Sequence, residues 1–84
     1  MTFEEAQEKV QNLSQRPENT ELLKLYALFK QAMEGDNNGE GPTNPFDFAA
    51  SAKFNAWKEV HGKSKEDATS EYISHSEELI SKYG

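Results

Sequence analysis

Apolar residues recur along this chain at steps of three and four, the spacing that lines one side of an α-helix, and nowhere do they alternate as in a half-buried strand. The first such stretch carries Phe3, Ala6, Val10 and Leu13, opens on a Thr2-x-x-Glu5 capping box and stops near Ser14 to Pro17. A second begins near Asn19 and sets Leu22, Leu25, Tyr26, Phe29, Ala32 and Met33 on one face, with Leu23 and Leu28 alongside. Gly35 should end it, in the left-handed conformation that glycine adopts without strain. A third, from Phe48 to Val60, turns Ala49, Ala52, Ala56, Trp57 and Val60 to its apolar side, and Gly62 closes it. The last starts at Ser64-x-x-Asp67, and Ala68, Tyr72, Ile73, Leu79, Ile80 and Tyr83 give it an amphipathic character. The pattern predicts an all-α domain of four helices over residues 1–84. Short connections beside the first and last helices predict antiparallel neighbours.

Between the second and third helices, G-D-N-N-G-E-G-P-T-N-P-F-D holds three glycines, three asparagines and two prolines, the composition of a long loop. Asp36, Asn38, Glu40, Gly41 and Asp47 loosely follow the spacing of a calcium-binding loop. Glu at the fifth position, the short Asp at the twelfth and Pro45 within the loop all weaken that match, so a polar connector is the better account.

Composition narrows the function classes. A chain of 84 residues leaves room for one modest core and no large catalytic pocket, and suggests a monomer. The net charge of −6 argues against nucleic acid, whose binders show a basic stripe that releases counterions from phosphates. A phosphate-bearing ligand would have to be caught by a few well-placed lysines. With no cysteine, thiol nucleophiles, disulfides and cysteine-based zinc sites are excluded. The absence of a signal-like or membrane-spanning apolar run suggests a cytoplasmic protein with no stable membrane insertion. His61 and His75 have no partner constellation in the sequence and are expected to be exposed side chains, so no catalysis and no cofactor are expected.

Two segments carry candidate chemistry. Tyr26 and Lys30 lie one turn apart on the second helix with Phe29 beside them, and Lys53 and Trp57 repeat the arrangement on the third. A lysine stem can lie along carbon while its ammonium reaches a phosphate, and Tyr72 on the fourth helix offers a ring and a hydroxyl. By spacing alone, a core face edged by solvated lysines explains the same residues, and so does an interaction module that takes an amphipathic peptide in a groove.

Over nearly its whole length, however, the chain resembles the acyl-CoA-binding protein family. The resemblance runs through Phe3, Val10, Pro17, K-Q-A at Lys30 to Ala32, Gly35-Asp36, Trp57, Gly62, S-K-E-D-A from Ser64 and Tyr72-Ile73. It implies an up-down-down-up four-helix bundle that binds medium- and long-chain fatty acyl-CoA non-covalently, as a carrier and pool former with at most transient membrane contact. It further implies that Tyr26, Phe29, Lys30, Lys53 and Tyr72 hold the nucleotide end, with the lysines at the 3′-phosphate and Tyr72 against adenine. Leu22, Leu23 and Leu25 are candidates for the acyl groove. Phe29 stands where a second tyrosine is frequent, Gln11 and Ala49 where basic residues are common, and Phe54 where a tryptophan is usual. Ser76 takes the place of a customary apolar residue.

Overall fold

The computed structural model describes every residue except 38, 40, 42, 43 and 45. Four helices follow the predicted pattern closely: α1 is Phe3–Gln11, α2 Asn19–Glu34, α3 Phe48–Glu59 and α4 Lys65–Tyr83. Each start is satisfied by polar groups, because the first turn of a helix leaves its backbone N–H groups without intrahelical acceptors. Thr2 Oγ1 accepts from the Glu5 N–H at 3.1 Å while the Thr2 N–H donates to the Glu5 carboxylate at 3.0 Å. Asp47 accepts from Ala50 N–H and Ser64 from Asp67 N–H, both at 3.0 Å. At the start of α2, where Glu18 takes the cap position, the Glu18 N–H donates to the Glu21 carboxylate at 3.0 Å.

Gly35 ends α2 with φ +81° and ψ −152°. The positive φ favours glycine as expected, but ψ is extended rather than left-handed helical. The chain therefore leaves α2 at once, and the Gly35 carbonyl is left to accept the Trp57 indole N–H at 3.0 Å.

The helix directions can be read from their contacts. Glu21 near the start of α2 meets His75, Lys82 and Tyr83 on the later half of α4, whereas Gln31 near its end meets Lys63, just before α4, so α2 and α4 run antiparallel. Tyr26 lies by Lys53 and Gln31 by Trp57, so α2 and α3 run parallel. Phe3 packs on Tyr72 while Leu13 approaches Gly84, so α1 follows α4. The result is the up-down-down-up bundle implied by the resemblance. Adjacency differs from the expectation drawn from short connections. Close backbone packing joins α1 to α4, α4 to α2 and α2 to α3, whereas the sequential pairs α1/α2 and α3/α4 lack it, and α1 reaches α2 only through side chains such as Phe3 on Phe29. Residues 12–18 and 60–64 bridge across α4 and α2 because those two helices carry most of the buried core residues and take the centre.

The core is Ala6, Leu25, Leu28, Tyr72 and Leu79, ringed by Phe3, Val10, Leu13, Phe29, Val60, Ile73 and Tyr83. Two expectations are corrected here. Met33, assigned to the apolar face of α2, is 55% exposed, and the inward position one turn from Leu28 belongs to the fully buried Gln31. His75, expected at the surface, is buried between α4 and α2. Its Nε2 lies 3.2 Å from the Glu21 carbonyl oxygen, which can only accept and so assigns the proton to that nitrogen. No residue of α3 is buried, since its inner face is built of alanines against α2. Ser76 is fully buried and donates to the Tyr72 carbonyl at 2.7 Å, so its hydroxyl is satisfied within its own helix.

Candidate functional site

The seam between α2 and α3 opens into a cleft of about 430 Å³, floored by Leu22, Leu23, Ala49 and Ala52 and edged by Arg16, Asn19, Tyr26 and Lys53. Its floor is apolar and its rim carries two cations, although the chain as a whole is acidic. The Lys53 ammonium sits 5.5 Å from the centre of the Tyr26 ring, close enough for attraction by the ring face.

Tyr26 also lines a second, smaller recess of about 240 Å³ with Gln7, Gln11, Leu25, Phe29 and Tyr72. Two of its rings, Phe29 and Tyr72, cluster with Phe3. Phe3 meets Tyr72 edge-on with centroids 5.0 Å apart, Phe29 lies 6.4 Å from Tyr72, and Phe3 stacks on Phe29 at 6.0 Å. Burial pushes the Tyr72 phenol above its ordinary value, so the group stays a neutral donor. Tyr26 is thus the side chain shared by the cationic cleft and the aromatic recess.

Lys30 lines neither hollow. It lies one turn further along α2, its ammonium 5.0 Å from the Trp57 ring centre, and it forms an ion pair with Glu34. Hydrogen bonding to the Glu34 carboxylate holds its pKa above the usual value, against an opposing effect of burial. An anionic ligand at Lys30 would have to share the ammonium with Glu34 or displace that carboxylate.

Trp57 is fixed by a part-buried network. Its indole N–H is shared between Gln31 Oε1 at 3.2 Å and the Gly35 carbonyl at 3.0 Å. Gln31 Nε2 donates to Asp36 at 2.8 Å and to the Lys63 carbonyl at 2.7 Å. Asp36 also accepts from the Gly62 N–H at 2.7 Å, and these two hydrogen bonds hold its carboxyl below the usual range. Asp36, first in the calcium-like spacing, is therefore engaged in joining α2 to the α3–α4 turn. Asn38 and Glu40 of that spacing lie outside the described residues, and no group of three candidate ligands gathers among the described ones.

Of the residues singled out in the sequence, Leu22, Leu23, Tyr26 and Lys53 meet in the cleft, while Leu25, Phe29 and Tyr72 meet with Tyr26 in the recess. Leu25 is also a buried core residue. Gln11 lines the recess and Ala49 the cleft, so the positions that differ from the family pattern in charge belong to these same surfaces. Arg16 and Asn19 were not anticipated. They stand in or beside the α1–α2 turn, and only the folded chain brings that turn over α3.

The family described as Acyl CoA binding protein matches residues 1–76. Acyl-CoA-binding protein homolog 1 of Caenorhabditis elegans is 48% identical over 84 residues, covering all of this chain and 96% of the relative. The acyl-CoA-binding protein of Saccharomyces cerevisiae is 47% identical over 81 residues, 96% of this chain and 92% of its own. The crystal structure of Oryza sativa acyl-CoA-binding protein 2 superposes with a TM-score of 0.88 at 39% identity, covering 95% of this chain and 88% of that one. The chain belongs to the acyl-CoA-binding protein family.

Proposed function

We propose that this chain binds medium- and long-chain fatty acyl-CoA thioesters non-covalently and serves as an acyl-CoA carrier and pool former without catalysing a reaction. The observation that carries the reading is the apolar cleft between α2 and α3, rimmed by Arg16 and Lys53 and joined through Tyr26 to the aromatic recess of Phe29 and Tyr72. In this reading, adenine packs on the rings, the lysines Lys53 and Lys30 engage phosphate, and the acyl chain lies over Leu22 and Leu23. Each buried methylene contributes about 0.8 kcal/mol, from which the ordering of ligand and side chains is subtracted. Headgroup and tail must both be present for tight binding.

Residues 1–84 would act as one monomeric domain in the cytoplasm, meeting membranes only transiently during ligand exchange. Phe46 and Phe48, 79% and 77% exposed just before the cleft-lining residue Ala49, support such contact. Calorimetric titration tests the function. Palmitoyl-CoA should bind far more tightly than free coenzyme A or palmitate, and equal affinities for palmitoyl-CoA and coenzyme A would refute the reading.

A further inference from the structure

The α2–α3 seam is hollow on both faces. On the side opposite the cleft is a second hollow of about 470 Å³, lined by Leu23, Ala27, Ala52, Ala56 and Val60, with Lys24 at its edge. Leu23 and Ala52 line both hollows, so the two spaces meet at these side chains. Successive residues on α2 account for this: Leu22 and Tyr26 point to the cleft, Ala27 and Lys24 to the other face, and Leu23 lies between them. Leu23 is only half-buried and Ala52 carries only a methyl, so Leu23 is the larger of the two shared side chains and the one with rotatable bonds.

We propose that the second hollow is the distal part of the acyl site, entered over Leu23, and that Leu23 sets how many methylenes beyond the cleft the protein can bury. This rests on the acyl-CoA reading above. The occupant is the end of the ligand's own hydrocarbon chain, which the alanine and valine lining suits. The continuity of the two spaces at Leu23 and Ala52 supplies the route. Lys24 and Glu59 at the margin can lay their stems over the tail while their charges stay in water.

The test is a series of dissociation constants for acyl-CoA esters from octanoyl to eicosanoyl, measured by calorimetry on the parent and two variants. Asn55→Trp fills the second hollow from an exposed position. It should leave octanoyl-CoA unchanged and weaken stearoyl- and eicosanoyl-CoA roughly tenfold or more, the loss expected for two excluded methylenes. Leu23→Ala shortens the larger shared side chain and should raise the eicosanoyl-to-octanoyl affinity ratio. Nuclear Overhauser contacts from a labelled terminal methyl of stearoyl-CoA should reach Ala56 and Val60 in the parent and vanish in Asn55→Trp. If the parent binds these esters but Asn55→Trp leaves the stearoyl-to-octanoyl ratio unchanged, or the terminal methyl contacts only Leu22 and Ala49, the distal site is overturned alone. A parent that binds no acyl-CoA overturns the underlying reading and this one with it.

Discussion

The two faces of α2 are built on different principles. Toward α4, α2 presents Leu25 and Leu28 to Tyr72 and Leu79, all buried, and the interface is closed at one end by Glu21 with Lys82 and Tyr83 and at the other by Gln31 with Lys63. Toward α3 it presents Leu23 and Ala27 to Ala52 and Ala56; no α3 residue is buried, and a hollow opens on each side. Large interlocking side chains make the first interface the source of stability. Small ones bring the helices together without filling the space beside them, so the second can admit a ligand. A helix flanked by both interfaces holds a binding surface rigid while leaving it open.

This contrast is broken most severely from the closed side. Leu28→Ala empties a nearly fully buried position between α2 and α4 and should destabilise the fold by about 2–5 kcal/mol, read as a fall in urea midpoint. Leu22→Ala, on the open side, should leave the midpoint within about 1 kcal/mol. A comparable loss at Leu22 would show that the cleft is part of the core.

The next largest effect concerns Gln31, which belongs to both faces. Gln31→Leu keeps the bulk of the side chain but leaves the Lys63 carbonyl without its donor and Asp36 with one fewer, and removes one acceptor of Trp57. The expected loss is about 1–3 kcal/mol, accompanied by a shift in Trp57 fluorescence as the indole loosens. A stability loss with unchanged Trp57 emission would mean that the indole is held by the Gly35 carbonyl alone.

On the open side the expected effects fall on binding. Lys53→Ala should weaken palmitoyl-CoA binding by about 1.5–3 kcal/mol, the range of a hydrogen bond to a charged group, with no change in melting temperature. Lys30→Ala should act in the same direction but less, because in the free protein the Lys30 ammonium is already paired with Glu34. A larger effect at Lys30 than at Lys53 would place the phosphate nearer Trp57 than Tyr26.

The closed interface was the harder one to read in the sequence, although the helices themselves were plain. Helix limits followed from caps that bond within a few residues, such as Thr2 with Glu5 and Ser64 with Asp67, and such local chemistry is written in local order. Which helices touch was not, because residues 12–18 and 60–64 are long enough to cross a neighbour, and length alone does not choose. Gln31, His75 and Ser76 were hidden for a related reason. A polar residue is buried only where distant partners satisfy it, and Gln31 finds Asp36, Trp57 and Lys63 only in the folded chain. Tyr26, Lys30 and Lys53 on the open side, and Tyr72 on the closed one, stood out through their residue types and the family pattern. Arg16 did not, since nothing in S-Q-R-P says that the turn lies beside α3.

The smallest predicted effect concerns the latch at the end of the closed interface. The Glu21 carboxylate accepts from the Tyr83 hydroxyl, from the Glu18 backbone N–H and from Lys82, in decreasing order of influence, and these hold its pKa down at about 2 from an ordinary value of 4.5. A carboxylate depressed in the folded state adds stability that is complete above the unfolded value and disappears as pH falls through the folded one, since the unfolded chain takes up the proton first. The contribution of Glu21 should therefore be constant at neutral pH and decline between about 4.5 and 2. Asp36 and Glu5 are depressed as well, so the parent alone does not isolate this one group. The informative quantity is the difference in melting temperature between the parent and Glu21→Gln, followed from pH 7 to pH 2. It should narrow on the acid side and stay flat above pH 5, while Leu22→Ala shows no such narrowing. Parallel acid limbs for the parent and Glu21→Gln would mean that the Tyr83 and Lys82 contacts do not hold the end of α4 in solution.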